Sequence, residues 1–382
     1  MKPYLLFGGD TVINEQASRR NIEGTLLSHE VSEVIKNASE FIVNLEAPFT
    51  TCNNEIMKNG PNIKCDPSYI QVLKNIGVSA VCLANNHMMD FADEGLTETL
   101  DVCSKANIKS VGAGQNYQES SKPILFSLNN QNIAVLNIAE NEFGGVTDTS
   151  SGINTLNLID NIKKIREIKK ECDVLILNLH AGIEYFALPR PELQKICHFF
   201  IEEGVDTIIC HHTHVASAYE IYNGKPVFYG IGNFIFENKQ SNQSWEEGYL
   251  VKIYVNKNSE INFELVPYNQ NISESGVRLL KDEELINFQK QISQLNTCLA
   301  TKEDYLAKWT AFCQSKEMYY MTLLFFPFIY KPLKLLLKIP FLNAIVNPKS
   351  RIALRLNLIR CESHSEVIKH VLSTSYNKFN NK

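Results

Sequence analysis

A chain of 382 residues, 44% hydrophobic and 21% charged, has the balance of a globular protein with a sizeable core, long enough for one large domain and an appendage. Its net charge of −5 gives no electrostatic footprint for nucleic acid, which is therefore excluded as a partner. The ten cysteines include no C-x-x-C pair. Cys82, Cys172, Cys197 and Cys210 sit inside apolar segments and read as buried thiols of a reducing, cytoplasmic compartment.

The opening "MKPYLLFGGD" has too short an apolar stretch for a secretory leader and reads as a first strand. Further apolar runs of strand length fall at 41–45, 79–83, 133–138, 174–179, 207–210, 227–230 and 249–255. Helical patterns lie between many of them, at 28–37, 67–76, 96–106, 158–170 and 191–203, the last opening on Pro191 as an N1 proline should. Strands alternating with helices predict an α/β protein. After a last strand near 261–268 the pattern turns helical. The boundary is placed at 271, dividing a domain of residues 1–271 from a helical extension of residues 272–382.

Five places put ligand-type side chains where a strand hands over to a loop, the position at which α/β proteins bind. They bring Asp10; Glu46, with Asn44 two residues earlier; Asn85, Asn86, His87 and Asp90; His180, Glu184 and Tyr185; and His211, His212 and His214. Each alone has an ordinary reading as a turn residue, an Asx cap or a core histidine. Five polar sets, each directly following a buried strand, are costly to bury unless paired or metal-bound. In an extended "HHTH", His212 and His214 point to one side, and His211 to the other, toward packing or a contact behind the ligands. Carboxylates, an amide oxygen and imidazoles form a mixed oxygen/nitrogen set that suits Mn²⁺, Zn²⁺ or Fe.

The motifs "GD" (Gly9-Asp10), "NLEAP" (Asn44–Pro48), "ANNHMMDFADEGL" (Ala84–Leu96), "VGAGQN" (Val111–Asn116), "HAGIEY" (His180–Tyr185), "HHTH" (His211–His214) and "GIGNFIF" (Gly230–Phe236) follow in this order. Over about residues 3–270 the chain resembles the CapA family of capsule (poly-γ-glutamate) synthesis proteins, whose domain is similar to calcineurin-like metallophosphoesterases. The resemblance implies a four-layer αββα sandwich with a dinuclear divalent-metal site at the strand ends. It implies Asp10 and His214 on the first metal, Glu46 bridging both, and Asn86, His180 and His212 on the second. His87 would be the general acid, oriented by Asp90; the same motifs offer Asn85, Glu184, Tyr185, His211 and Asn233 as substrate contacts. The chain departs from the superfamily pattern at Val12, where a histidine ligand is usual, and at Cys210, Thr213, Ala92 and Ala181.

Two functions stay open on these residues. One is a capsule-synthesis hydrolase, in which hydroxide generated at the metals attacks a phosphoester or γ-glutamyl amide. The other is a non-catalytic module that holds an anionic polymer through its metals. The most apolar stretch, 318–346, is broken by Pro327, Pro332 and Pro340, so no straight membrane span of ~20 residues is expected. It reads either as a segment packed on the core or as an interfacial helix. In the second case Lys331, Lys334 and Lys338 would hold the protein peripherally at a membrane, beside a capsule synthase. His364 and His370 lie far from the motifs and are assigned no function.

Overall fold

The computed structural model describes residues 3–58, 60–237, 243–325 and 349–380. Leu5–Thr11, buried along its whole length, is central to the first sheet. In parallel on one side come Glu40–Leu45, Ala80–Cys82 and Lys109–Val111; on the other, antiparallel, come Glu247–Val255, Ile261–Asn271 and Gly276–Leu279. The second sheet runs Tyr219–Tyr222, Lys225–Phe228, Thr207–His211, Val174–His180, Gln131–Ala139, Ile124–Leu128, with its four inner strands parallel. Runs such as "VLILNLH" and "TIICH" show no polar alternation because both faces of these strands are covered.

Three apolar layers separate the elements. Leu5, Phe7, Ile42 and Val251 meet Val135, Ile176, Ile209 and Phe228 between the sheets. Val31, Leu73 and Leu96 cover the outer face of the first sheet, and Ile165, Leu193 and Phe200 that of the second. The result is the expected helix–sheet–sheet–helix sandwich. All ten cysteines are free thiols; of the four singled out in the sequence, Cys172 is only half-buried.

The switch to helix comes later than residue 272, because Gly276–Leu279 is still the edge strand of the first sheet. Helices Asp282–Ala300, Lys302–Phe325, Lys349–Arg360 and Glu362–Asn380 follow. They are bound into the sandwich: Phe288 and Ile292 enter the core between the sheets, Leu299 and Tyr305 the outer layer of the second. Trp309, Cys313, Tyr320, Leu358 and Val367 form a further cluster against Ile183 and Phe186, in the loop after His180.

One buried cation fastens this assembly. Arg190 is 1% exposed and lies 2.6 Å from Glu140 Oε1 and 2.8 Å from Glu366 Oε2. The segment expected to hold an interfacial helix, with Lys331, Lys334 and Lys338, lies outside the described residues. Among the described residues no helix is long and apolar enough to cross a membrane. Arg190→Ala leaves two carboxylates without their counter-ion and should cost about 3–5 kcal/mol. Urea unfolding measures it; an unchanged midpoint would mean that the last helix docks without this pair.

Candidate metal centre

The parallel strands of both sheets deliver their carboxyl ends to one edge. Asp10 lies in register with Asn44 in the first sheet, and His211 with His180 in the second. Gly9 is glycine because its backbone runs against the segment before Asn233: a Cβ there would sit 1.8 Å from the Gly232 carbonyl oxygen. That close approach sets Asp10 beside Asn233.

Two groups of ligand atoms gather at this edge. In the first, atoms of Asp10, Glu46 and His214 all lie within 4.8 Å of one another. His214 Nδ1 is 3.4 Å from Asp10 Oδ2, and His214 Nε2 is 3.6 Å from Glu46 Oε1. Both Glu46 oxygens are buried without a hydrogen-bond partner. In the second group His180 Nε2 lies 3.1 Å from Asn86 Oδ1 and 3.1 Å from His212 Nδ1. Asn44 joins the groups, its Nδ2 lying 2.8 Å from Asp10 Oδ1 and 3.3 Å from His180 Nδ1.

The electrostatics of these side chains are those of acids and imidazoles crowded together out of water. Burial, then the charge of Asp10, holds the Glu46 carboxyl well above its usual range. Burial would also raise Asp10, but hydrogen bonds to His211 and His214 overcome it and hold that carboxyl well below. Burial pushes His214 down, yet the charge of Glu46 and the contacts with Asp10 lift it to about 10. His180 is held well below its ordinary value by burial and then by His212, so it stands as the neutral imidazole a metal requires. A buried carboxylate with unused oxygens, among mixed oxygen and nitrogen donors, fits a divalent cation.

The histidine motif reaches the site by a different route from the extended chain expected for it. The strand ends at His211, and His212 and His214 take left-handed conformations, with φ of 81° and 57°. Non-glycine residues there are uncommon, and such strain costs on the order of 1–3 kcal/mol each. The turn sends His212 to His180 and His214 to Asp10 and Glu46. Thr213, at the apex, donates from Oγ1 to the Val215 carbonyl at 2.9 Å. His211 makes the contact behind the ligands expected of it: its Nδ1 lies 3.1 Å from Asp10 Oδ1.

Three expected substrate contacts are corrected by burial. His211 is 2% exposed and packs behind Asp10. Asn85 is fully buried; Nδ2 donates to the Leu45 carbonyl at 2.8 Å, and Oδ1 accepts from the backbone N–H of His87 and Met88. It folds the turn that presents Asn86 and His87. Asn233 is also fully buried, with Oδ1 3.0 Å from His214 Nδ1 and Nδ2 donating to the carbonyls of His214 and Trp245. All three position candidate ligand side chains. Glu184 and Tyr185, by contrast, line a cavity of about 380 Å³ together with Asn86, His87 and His212.

His87 Nδ1 lies 2.8 Å from Asp90 Oδ2, the pairing expected for it. A partner that carries no signal in the sequence completes this group. The buried Lys58 ammonium pairs with Asp90 Oδ1, lies 3.0 Å from His87 Nδ1 and donates to the Asn86 carbonyl. Burial lowers both Lys58 and His87, and Asp90 opposes the shift in each.

Comparison with known proteins assigns the chain to a family. The family described as "Bacterial capsule synthesis protein PGA_cap" matches residues 4–238, more than half of the chain. The protein belongs to that family. It is 30% identical over 243 residues to the "PGA biosynthesis protein CapA" of Bacillus subtilis (strain 168), covering 62% of this chain and 63% of that one. With the "Capsule biosynthesis protein CapA" of Bacillus anthracis it shares 26% over 251 residues, 63% of this chain and 60% of the relative. The match thus spans about three-fifths of each of these relatives. Among solved structures, a hypothetical protein from Thermus thermophilus is similar at a TM-score of 0.45 and 11% identity, over 70% of this chain and 99% of that one. A 5′-nucleotidase precursor from the same organism is similar at a TM-score of 0.41 and 11% identity, over 77% and 58%.

The position of Asn85 generates a prediction that a substrate contact would not. Asn85→Ala strands a buried carbonyl and two N–H groups and should lower stability by about 1–3 kcal/mol. Thermal unfolding measures this, and an unaltered transition would return Asn85 to the substrate side.

Proposed function

We propose that the protein is a metal-dependent hydrolase of poly-γ-glutamate capsule synthesis, cleaving a phosphoester or γ-glutamyl amide. The reading rests on its family and on one observation above others: the buried Glu46 carboxylate, without a hydrogen-bond partner, between Asp10 and His214. Asp10, Glu46 and His214 would hold one divalent ion, and Asn86, His180 and His212 a second, with Glu46 shared between them. Mn²⁺, Zn²⁺ or Fe fits these donors. Such ions supply Lewis acidity and lower the pKa of water.

The chain's own residues do the rest. His87 lines the same cavity as Asn86 and His212 and would pass a proton to the leaving group. Asp90 accepts from its Nδ1 and fixes the ring, while Lys58 fixes Asp90. Glu184 and Tyr185 would contact substrate at the mouth. The relatives' names set them in capsule and polyglutamate synthesis, so an anionic polymer or phosphoester is the proposed substrate. A membrane-associated synthase at the cytoplasmic face, reached through the C-terminal extension, is the proposed partner.

A non-catalytic polyanion-binding module is the second reading. Val12, half-buried and packed on the apolar core, favours it, since a ligand is usual at that position in the resembling hydrolases. The oriented His87–Asp90 pair favours catalysis, because a binding module has no use for a fixed proton donor.

Metal analysis by mass spectrometry should find two equivalents in the wild type and a loss in both Glu46→Ala and His214→Ala. One equivalent or none, unchanged by the variants, would remove the dinuclear centre. With Mn²⁺ and a chromogenic phosphodiester, His87→Ala should keep its metal and lose about 10²–10⁴-fold in turnover. Undiminished turnover takes His87 out of the mechanism; no turnover by the metal-loaded wild type selects the binding module.

A further inference from the structure

The cavity beside the metal ligands has a second wall, built by the C-terminal helices. Lys316 and Tyr320 from Lys302–Phe325, with Ser363 and His364 from the start of Glu362–Asn380, line the same space as Asn86, His87 and His212. These residues lie beyond the part of the chain that matches the family, which stops at residue 238.

This wall is fixed to the metal-bearing strands. The backbone N–H of Glu140 donates to the carbonyl of His180 at 3.0 Å. Glu140 in turn binds Arg190, at 2.6 Å, and the Ser363 hydroxyl, at 2.5 Å. The Ser363 hydroxyl also lies against the Gly182 carbonyl, two residues past His180. His364 is therefore held over the loop that follows a metal ligand. The Tyr320 hydroxyl lies 2.8 Å from its Nδ1, leaving Nε2 for the cavity.

Among the described residues, the charges on the cavity leave one cation uncommitted. Lys58 is engaged by Asp90. Of the carboxylates, Glu184 is faced by the charges of His212 and His214, and Glu142 accepts from Asn357 Nδ2 at 3.4 Å. Lys316 is exposed, has no carboxylate partner among the described residues, and lies 5.6 Å from the Phe312 ring centre. We propose that Lys316 and His364 form an oxyanion subsite that holds a second negative group of an extended polyanionic substrate, whose first is held at the metal ligands. The proposal deepens the reading of the site given above and rests on it for the first contact only. Tyr320 acts through His364 as a positioning residue.

The test reads binding and needs no turnover. Full-length protein with Mn²⁺ is titrated calorimetrically with γ-linked penta-glutamate and, separately, with a phosphodiester-linked oligomer of equal charge. Lys316→Glu should weaken the recognised probe about tenfold or more, the loss of a charged hydrogen bond. His364→Ala should act in the same direction. Lys308→Glu, the same reversal on the same helix away from the cavity, should leave affinity unchanged. Loss for the glutamate probe alone identifies a carboxylate subsite, loss for the other alone a phosphate subsite, and loss for both a general oxyanion subsite. No binding of either probe by the wild type, affinity untouched by Lys316→Glu, or equal weakening by Lys308→Glu overturns the proposal. An inert protein whose affinity falls in Lys316→Glu keeps the subsite and loses the hydrolase; an active one with unaltered affinity does the reverse.

Discussion

The structure depends on what to do with a carboxylate that has been taken out of water. Glu46 follows a strand buried from Phe41 to Leu45, and both its oxygens lie buried without a donor. Removing an unpaired carboxylate from solvent is expensive, and in practice the group takes a proton or a cation. Every neighbour is arranged around that demand. Asp10 and His214 face the same point, Asn233 fixes His214, and Asn44 ties Asp10 to the second group around His180. The sandwich makes this possible because the parallel strands of both sheets end at one edge, where these side chains gather.

The strain in the histidine turn follows from the same demand. An extended "HHTH" would place His212 and His214 on one side, suited to one ion or to adjacent positions along a line. The left-handed residues instead split them, one to each donor group. Backbone strain of this kind persists only where surrounding contacts over-determine it. Thr213 and the bond from the His212 N–H to Asp10 Oδ2, at 3.2 Å, are two of those contacts.

What the sequence reveals and what it conceals divide along a physical line. The strands are legible because a continuous apolar run bounded by polar loops has few alternative readings. The ligands are legible because each stands directly after such a run. The left-handed turn is not, since His212 and His214 are not glycine and nothing local announces their conformation. Asn85, Asn233 and His211 look like substrate contacts, and only burial and hydrogen-bond direction show that they pack behind His87, His214 and Asp10. Lys58 is invisible because its partner is far along the chain and "IMKNGP" reads as an ordinary solvent loop. Its ammonium is buried only because the loop folds back onto Asp90. His364 sits more than a hundred residues past the last motif, and no periodicity links it to them.

That distance bears on how specificity can arise in such a fold. The sandwich supplies a candidate metal edge that is open on one side, and the buried residues of that edge are committed to contacts with one another. Discrimination among substrates must come from whatever closes the open side. Here the closing elements are Lys302–Phe325, which carries apolar core through Tyr305, and Glu362–Asn380, packed on it through Val367 against Trp309 and Tyr320, so they cannot drift from the sheets without unpacking that core. The Glu140–Arg190–Ser363 contacts then set the last helix against the strand ends to within hydrogen-bond tolerance. A wall held this way can tune the cavity through single exposed side chains such as Lys316, while the buried ligand set beneath it stays fixed. Binding geometry and recognition are thereby separated in the chain: the first is built from strand ends, the second from helices added after the sheets are complete.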